Sequence, residues 1–136
     1  MDELIRNFLD PAGGRENLKP RFDALAQAAK DEVLRGLIAA LEEDWCVCRE
    51  RASVALGELG PRARAAAPAL SRMLRSDECE TARWLAALAL GRLGQTAVSP
   101  LIELFRCDDP LTRQLALDAL GEADADVGSS ASLILE

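Results

Sequence analysis

Apolar and polar positions recur along this chain in two interleaved blocks. The first occupies Arg49 to Gly57, Arg83 to Gly91 and Arg113 to Gly121, and every copy fits R-x-x-A-x-x-A-L-G. Apolar residues three, six and seven places after the arginine share one face of an α helix, so each copy predicts an amphipathic helix. Its glycines lie 34 and 30 residues apart. A unit of slightly over thirty residues therefore repeats, with small length changes absorbed between its helices. The second block aligns Leu37 to Asp44 with Leu70 to Asp77 and with Leu101 to Asp108. Apolar residues at i, i+3 and i+4 give it a buried stripe, and its trailing aspartate is expected to cap the helix that follows. Each unit is thus a helix pair.

Small side chains explain how such pairs could stack. Alanines three residues apart let the backbone of the first helix approach its neighbours, and the leucine after them fills the seam. Gly57, Gly91 and Gly121 fall near the helix end, where a left-handed residue or a close backbone crossing calls for glycine. Gly60-Pro61 enforces a break before the second helix of that repeat. Composition agrees: 49% of residues are apolar but only 4% aromatic, which leaves the core to alanine and leucine. Strong helix formers dominate and strand formers are scarce. A length of 136 residues suits a single domain.

The extended run R-x-x-A-x-x-A-L-G-x-L-G from Arg83 to Gly94, followed by a second helix and an acidic turn, resembles HEAT-like repeats of the short phycobilisome-lyase, armadillo-like type. The resemblance covers roughly residues 31–122. It implies an all-α, right-handed α-α superhelix: an alpha solenoid of about four HEAT-like helix pairs with an N-terminal cap helix. It also implies a polar ladder between neighbouring repeats. The matching positions are Asp44 with Arg49, Asp77 with Arg83, and Asp108 with Arg113.

The expected organisation is one domain over 1–136, with a cap helix and hinge in 1–14 and repeats in 15–45, 46–77 and 78–108. Residues 109–136 form a degenerate C-terminal repeat. Leu18, Phe22, Leu25 and Ala29 predict the first helix of the first repeat within 15–30. Leu4, Ile5, Phe8 and Leu9 predict a short amphipathic helix, ended by Asp10-Pro11 and Gly13-Gly14, that covers the open end of the stack. Ala123 to Ser132 is acidic and rich in small residues, and only Val127, Leu133, Ile134 and Leu135 could anchor a final helix there.

Charge narrows the range of partners. The formal net charge of −7 and pI near 4.7 disfavour general affinity for nucleic acid or anionic membrane. Residues 46–106 carry 6 acids and 9 bases, whereas both flanks are acidic. Ordinary interspersed surface charge accounts for this better than a functional stripe. The N-terminal residues carry charges where a secretory peptide needs an apolar stretch, and no run approaches bilayer-spanning length. A cytoplasmic protein is expected. Cys46, Cys48, Cys79 and Cys107 are too sparse for a disulfide-stapled domain and are read as reduced thiols.

The sequence contains no histidine, which removes histidine-based nucleophile systems and most mononuclear metal sites. The HEAT-repeat iron hydroxylases need His-Glu ligand pairs and are excluded with them. HEAT-like DNA glycosylases use a basic, aromatic surface that this acidic chain without tyrosine does not offer. No P-loop is present. The cysteines should lie along one edge of the solenoid, but helix layers about 8–10 Å apart are too distant for one tetrahedral ion to collect ligands from three repeats. Cys48 is expected to face the core. The acids Glu42-Glu43-Asp44, Asp77-Glu78 and Asp108-Asp109 are read as caps of first helices. No catalytic, cofactor or metal site is expected.

Binding residues are sought among apolar side chains on faces that should be polar. With the repeat alanines and leucines buried, a 100° step per residue places Trp84 and Leu88 on the opposite side of their helix, near Val54. The third-repeat equivalents, Gln114 and Asp118, are polar. Trp84, Leu88 and Val54 form either a partner patch or local packing against the second helix, and Trp45 carries the same ambiguity. The second-helix face offers Arg64, Arg72, Arg75, Glu103 and Arg106. The expected function is a non-catalytic scaffold or adaptor for another protein, with self-association compatible with the Trp84 patch. The resemblance alone implies an alternative, a subunit or relative of a bilin lyase that assists tetrapyrrole attachment.

Overall fold

Both repeating blocks are helical in the computed structural model, which describes residues 18–122. The α helices are α1 (Leu18–Asp23), α2 (Gln27–Ala40), α3 (Cys46–Leu59), α4 (Ala67–Ser76), α5 (Glu80–Arg92), α6 (Val98–Phe105) and α7 (Pro110–Glu122). Short 3₁₀ segments, Gly60–Ala66 and Gln95–Ala97, lead into α4 and α6. The described residues contain no strand and no helix long and apolar enough to cross a membrane. The expected cap helix within 1–14 and the tail from 123 lie outside the described residues. The helix expected over 15–30 is shorter than its pattern suggests. Leu18 and Phe22 are buried, but the Leu25 N–H donates to the Phe22 carbonyl and Ala26 is extended. This turn ends α1, so Ala29 belongs to α2.

Helices pack in two layers. In one, α1 contacts α3, α3 contacts α5 and α5 contacts α7; in the other, α4 contacts α6. This is an α solenoid of stacked helix pairs. Its seam is made of alanine: Ala52, Ala55, Ala86, Ala89, Ala116 and Ala119 are at most 2% exposed. Leu56, Leu90 and Leu120 are buried beside them. Second helices contribute Leu37, Leu70, Met73, Leu74, Leu101 and Leu104 to the same core.

The glycines divide into two roles. A Cβ on Gly57 would lie 3.3 Å from the Ala89 Cα, and one on Gly91 would lie 2.8 Å from the Ala119 carbonyl oxygen. Both therefore mark backbone crossings between successive first helices. The left-handed positions are instead Gly60 (φ 62°) and Gly94 (φ 85°), three residues further on. There the chain leaves the first helix and enters a 3₁₀ turn. Gly121 plays neither part, since among the described residues an added Cβ meets nothing within 4 Å.

A polar ladder crosses the layers, but its partners differ from those aligned in the sequence. The Arg49 guanidinium grips Asp77, in the turn that leads into the following repeat, through Nε to Oδ2 at 2.7 Å and Nη2 to Oδ1 at 3.0 Å. Its Nη1 donates to the Glu43 and Asp44 carbonyls at 2.8 and 2.9 Å. Asp44 thus serves Arg49 through its main chain, not its carboxylate. Arg83 repeats the motif: Nε donates to the Leu74 carbonyl and Nη2 to Asp109 and Thr112. Asp109 therefore takes the place expected of Asp108, which stays exposed. Arg113 is exposed on α7, beyond which the described residues end.

The turn acids also diverge as caps. Asp109 accepts the Thr112 N–H at 3.1 Å with Pro110 as the first residue of α7, a side-chain N-cap. Asp77 instead accepts the Cys79 N–H just ahead of α5. The residue preceding α3 is Trp45, which forms no side-chain cap. These contacts set the carboxyl affinities. Burial pushes Asp77 up, but hydrogen bonds from Arg49 and Cys79 and the charges of Arg49 and Arg83 outweigh it and leave the carboxyl below its ordinary value. Hydrogen bonds from Thr112 and Arg83 bring Asp109 down to about 2.

Three outcomes follow from this packing. Gly91→Ala should cost about 1–3 kcal/mol because backbone must shift, whereas Gly121→Ala should change stability by no more than about 0.5 kcal/mol. Equal urea midpoints for the two variants would contradict the crossing. Arg49→Met strands a carboxylate whose side chain is only 6% exposed and should cost about 3 kcal/mol or more. Removing the surface partner in Arg92→Ala should cost no more than about 0.5 kcal/mol. For pH, Asp109 is lower in the folded chain than in the unfolded one, so the unfolded state takes up protons first. Its stabilisation is present above about pH 4 and is lost as pH falls toward about 2. Thermal melts should therefore show a shallower acid-side fall for Asp109→Asn than for wild type; parallel curves would contradict the assignment.

Candidate functional site

Because the seam buries the alanine face of each first helix, the residue directly after each repeat arginine is turned away from it. That position is Glu50 on α3, Trp84 on α5 and Gln114 on α7. Trp84 is 52% exposed, so its indole does not fill space left by the alanines. One turn later, Leu88 is half-buried, as is its α3 counterpart Val54. On α7 the same two positions form a polar pair, with Gln114 donating to Asp118 at 3.0 Å. The outer ridge is thus mixed on α3, apolar on α5 and polar on α7.

Among the described residues, three other large apolar side chains are exposed. Trp45 and Val47 flank the start of α3, and Trp45, at 77%, is the most open. Leu117 shares its register with Ser53 and Ala87, which are buried within the stack, whereas α7 is its last described helix. Its exposure therefore reflects the end of the described stack. On the second-helix side Arg64, Arg72, Arg75, Glu103 and Arg106 are all exposed. Arg72 reaches Glu42 of the preceding repeat at 3.5 Å, with both side chains largely in solvent. Such a pair contributes little to stability.

A third feature joins residues that the sequence pattern does not connect. The Cys46 Sγ donates to Glu50 Oε1 at 3.0 Å, and the Cys79 Sγ approaches the same oxygen at 3.5 Å. Cys46 and Glu50 stand one turn apart on α3, while Cys79 immediately precedes α5. All three are half-buried. Hydrogen bonding to Cys79 and then to Glu50 pushes the Cys46 thiol up to about 12, so it is a poor nucleophile at neutral pH. Cys107 lies apart, near the Glu103 carbonyl. The distance objection to three repeats sharing an ion is met here by two repeats and a glutamate. Cys48 is half-buried, not a core residue. Glu50 was detectable from its i, i+4 relation to Cys46, but pairing either with Cys79 requires the stack.

The C-terminal ends of the first helices also leave an open groove of about 470 Å³, floored by Gly57, Gly60, Gly91 and Gly94. Lys19, Glu58, Arg92 and Glu122 give its walls mixed charge, and Arg92 pairs with Glu58 at 3.4 Å. The lining contains no nucleophile–base pair and offers no preferred sign of ligand charge.

Comparison with known proteins identifies the architecture without specifying a partner. No curated protein matches the chain. A family model described as HEAT repeats matches residues 34–121, spanning α3 through α6 in full together with the second half of α2 and nearly all of α7. That match covers more than half of the sequence and coincides with the alanine seam, the crossing glycines and the arginine ladder. The chain belongs to the HEAT-repeat family.

Proposed function

We propose that this protein is a non-catalytic scaffold that binds another protein through the ridge centred on Trp84. Its HEAT-repeat architecture supports a general protein–protein interaction role, since stacked helix pairs present extended, rigid surfaces. The observation carrying the specific reading is the half-exposed Trp84 indole one turn from Leu88, with Val54 at the equivalent position of α3, on a helix whose opposite face is closed by alanine. A preorganised aromatic anchor contributes disproportionately to binding. The exposed second-helix residues Arg64, Arg72, Arg75 and Arg106 add a basic surface to an otherwise acidic chain and favour a partner with acidic groups. Glu103 lies among them. Free thiols suit a reducing, cytoplasmic setting. No observation favours the bilin-lyase alternative, which rests on resemblance alone.

Affinity capture from native cell extract would test this function, comparing wild type with Trp84→Ala and with Arg72→Glu/Arg75→Glu. Trp84→Ala should melt with wild type but lose about tenfold or more in affinity for a captured partner. The double charge reversal should weaken capture chiefly at low salt. Identical captured proteins and affinities would remove Trp84 from the binding surface. A visible chromophore retained by the protein would support the tetrapyrrole role instead.

A further inference from the structure

We propose that Cys46, Glu50 and Cys79 bind a thiophilic divalent cation of the zinc class, bridging two neighbouring repeats and leaving one coordination position to solvent. Their donor atoms all lie within 4.8 Å of one another. Around a tetrahedral ion with ordinary zinc bond lengths, two sulfurs would be about 3.8 Å apart and each would be about 3.6 Å from the oxygen. The existing sulfur-to-Glu50 distances are 3.0 and 3.5 Å. Binding would open the Cys46–Glu50 separation by about 0.6 Å, leave Cys79–Glu50 nearly unchanged and draw the two sulfurs, no more than 4.8 Å apart, closer by at most about 1 Å, shifts that side-chain rotation supplies.

The scaffold holds both sides of this site. Cys46 and Glu50 project from the same face of α3 through their i, i+4 spacing. Across the layer, the Cys79 N–H is fixed by Asp77 Oδ1 at 2.9 Å, and Arg49 holds Asp77 through two hydrogen bonds. Thus the ladder that joins the repeats also positions the donors. Binding would transfer two thiol protons to solvent and leave two thiolates and one carboxylate around the cation. The resulting site carries one net negative charge, and the Arg49 guanidinium is close enough to interact with Cys46. Thiolate donors select zinc or cadmium over magnesium or calcium. Partial exposure of all three residues leaves room for water, or a donor from another molecule, as the fourth ligand.

The test uses the reduced full chain, titrated with Zn²⁺ against a chromophoric chelator and separately with Co²⁺ as a spectroscopic probe. One Zn²⁺ per chain is expected. Co²⁺ should produce tetrahedral ligand-field bands and thiolate-to-metal charge transfer. Cys46→Ser and Cys79→Ser should each weaken Zn²⁺ binding at least about tenfold, while Cys48→Ser and Cys107→Ser bind as wild type. Circular dichroism checks the folding of every variant, and the wild-type Co²⁺ spectrum remains decisive if a ligand variant unfolds. Absence of thiolate charge transfer, or equal losses across all four cysteine variants, would overturn the site.

Discussion

The close approach of successive first helices governs the rest of this structure. A side chain at Gly91 would meet the Ala119 carbonyl at 2.8 Å, and one at Gly57 would meet the Ala89 backbone at 3.3 Å. Separation at these crossings is therefore limited by main chain and by alanine methyl groups. Larger residues would widen the layers and forfeit contacts throughout the seam. At the observed spacing, an arginine on one first helix can reach the acidic turn of the next repeat. The same spacing brings Cys79 to Glu50.

The ladder adds direction to packing that alanine alone would leave degenerate. Arg49 is 8% exposed and makes four hydrogen bonds, two to Asp77 and two to main-chain carbonyls behind it. It links the end of one helix pair to the start of the next. Arg83 does the same one repeat later, from the Leu74 carbonyl to Asp109 and Thr112. Sliding a layer by one residue would break these bonds and leave charge in a largely dry environment, so they fix the register. Asp23 and Arg62 form another cross-repeat pair at 2.7 Å, but both side chains are substantially exposed.

Features repeated within one unit were legible in the sequence; contacts between units were not. The alanine and leucine positions identified the buried faces because helical periodicity depends on local spacing. Asp77 bonds to Arg49, 28 residues away, and Arg83 bonds to Asp109, 26 residues away. Aligning copies shows equivalence but not which copy touches which. The unequal turns shifted the third acid from Asp108 to Asp109. The repeat glycine stands out in the sequence, but the left-handed conformation belongs to Gly60 and Gly94. Among candidate functional residues, helical projection showed that Trp84 faces away from the seam. The Cys46–Glu50–Cys79 group leaves no signal in the repeat pattern because its members occupy different repeat positions.

The central claim is that stability arises from nearest-neighbour layers around this seam, with α5 contacting α3, α4 and α7. Native-state hydrogen exchange tests it most directly because it reads the opening free energy of each helix separately. The account predicts the strongest amide protection in α5, then α3, with α1 and the end of α7 exchanging first. Uniform protection from α1 to α7, or a maximum in α1, would contradict the layered account.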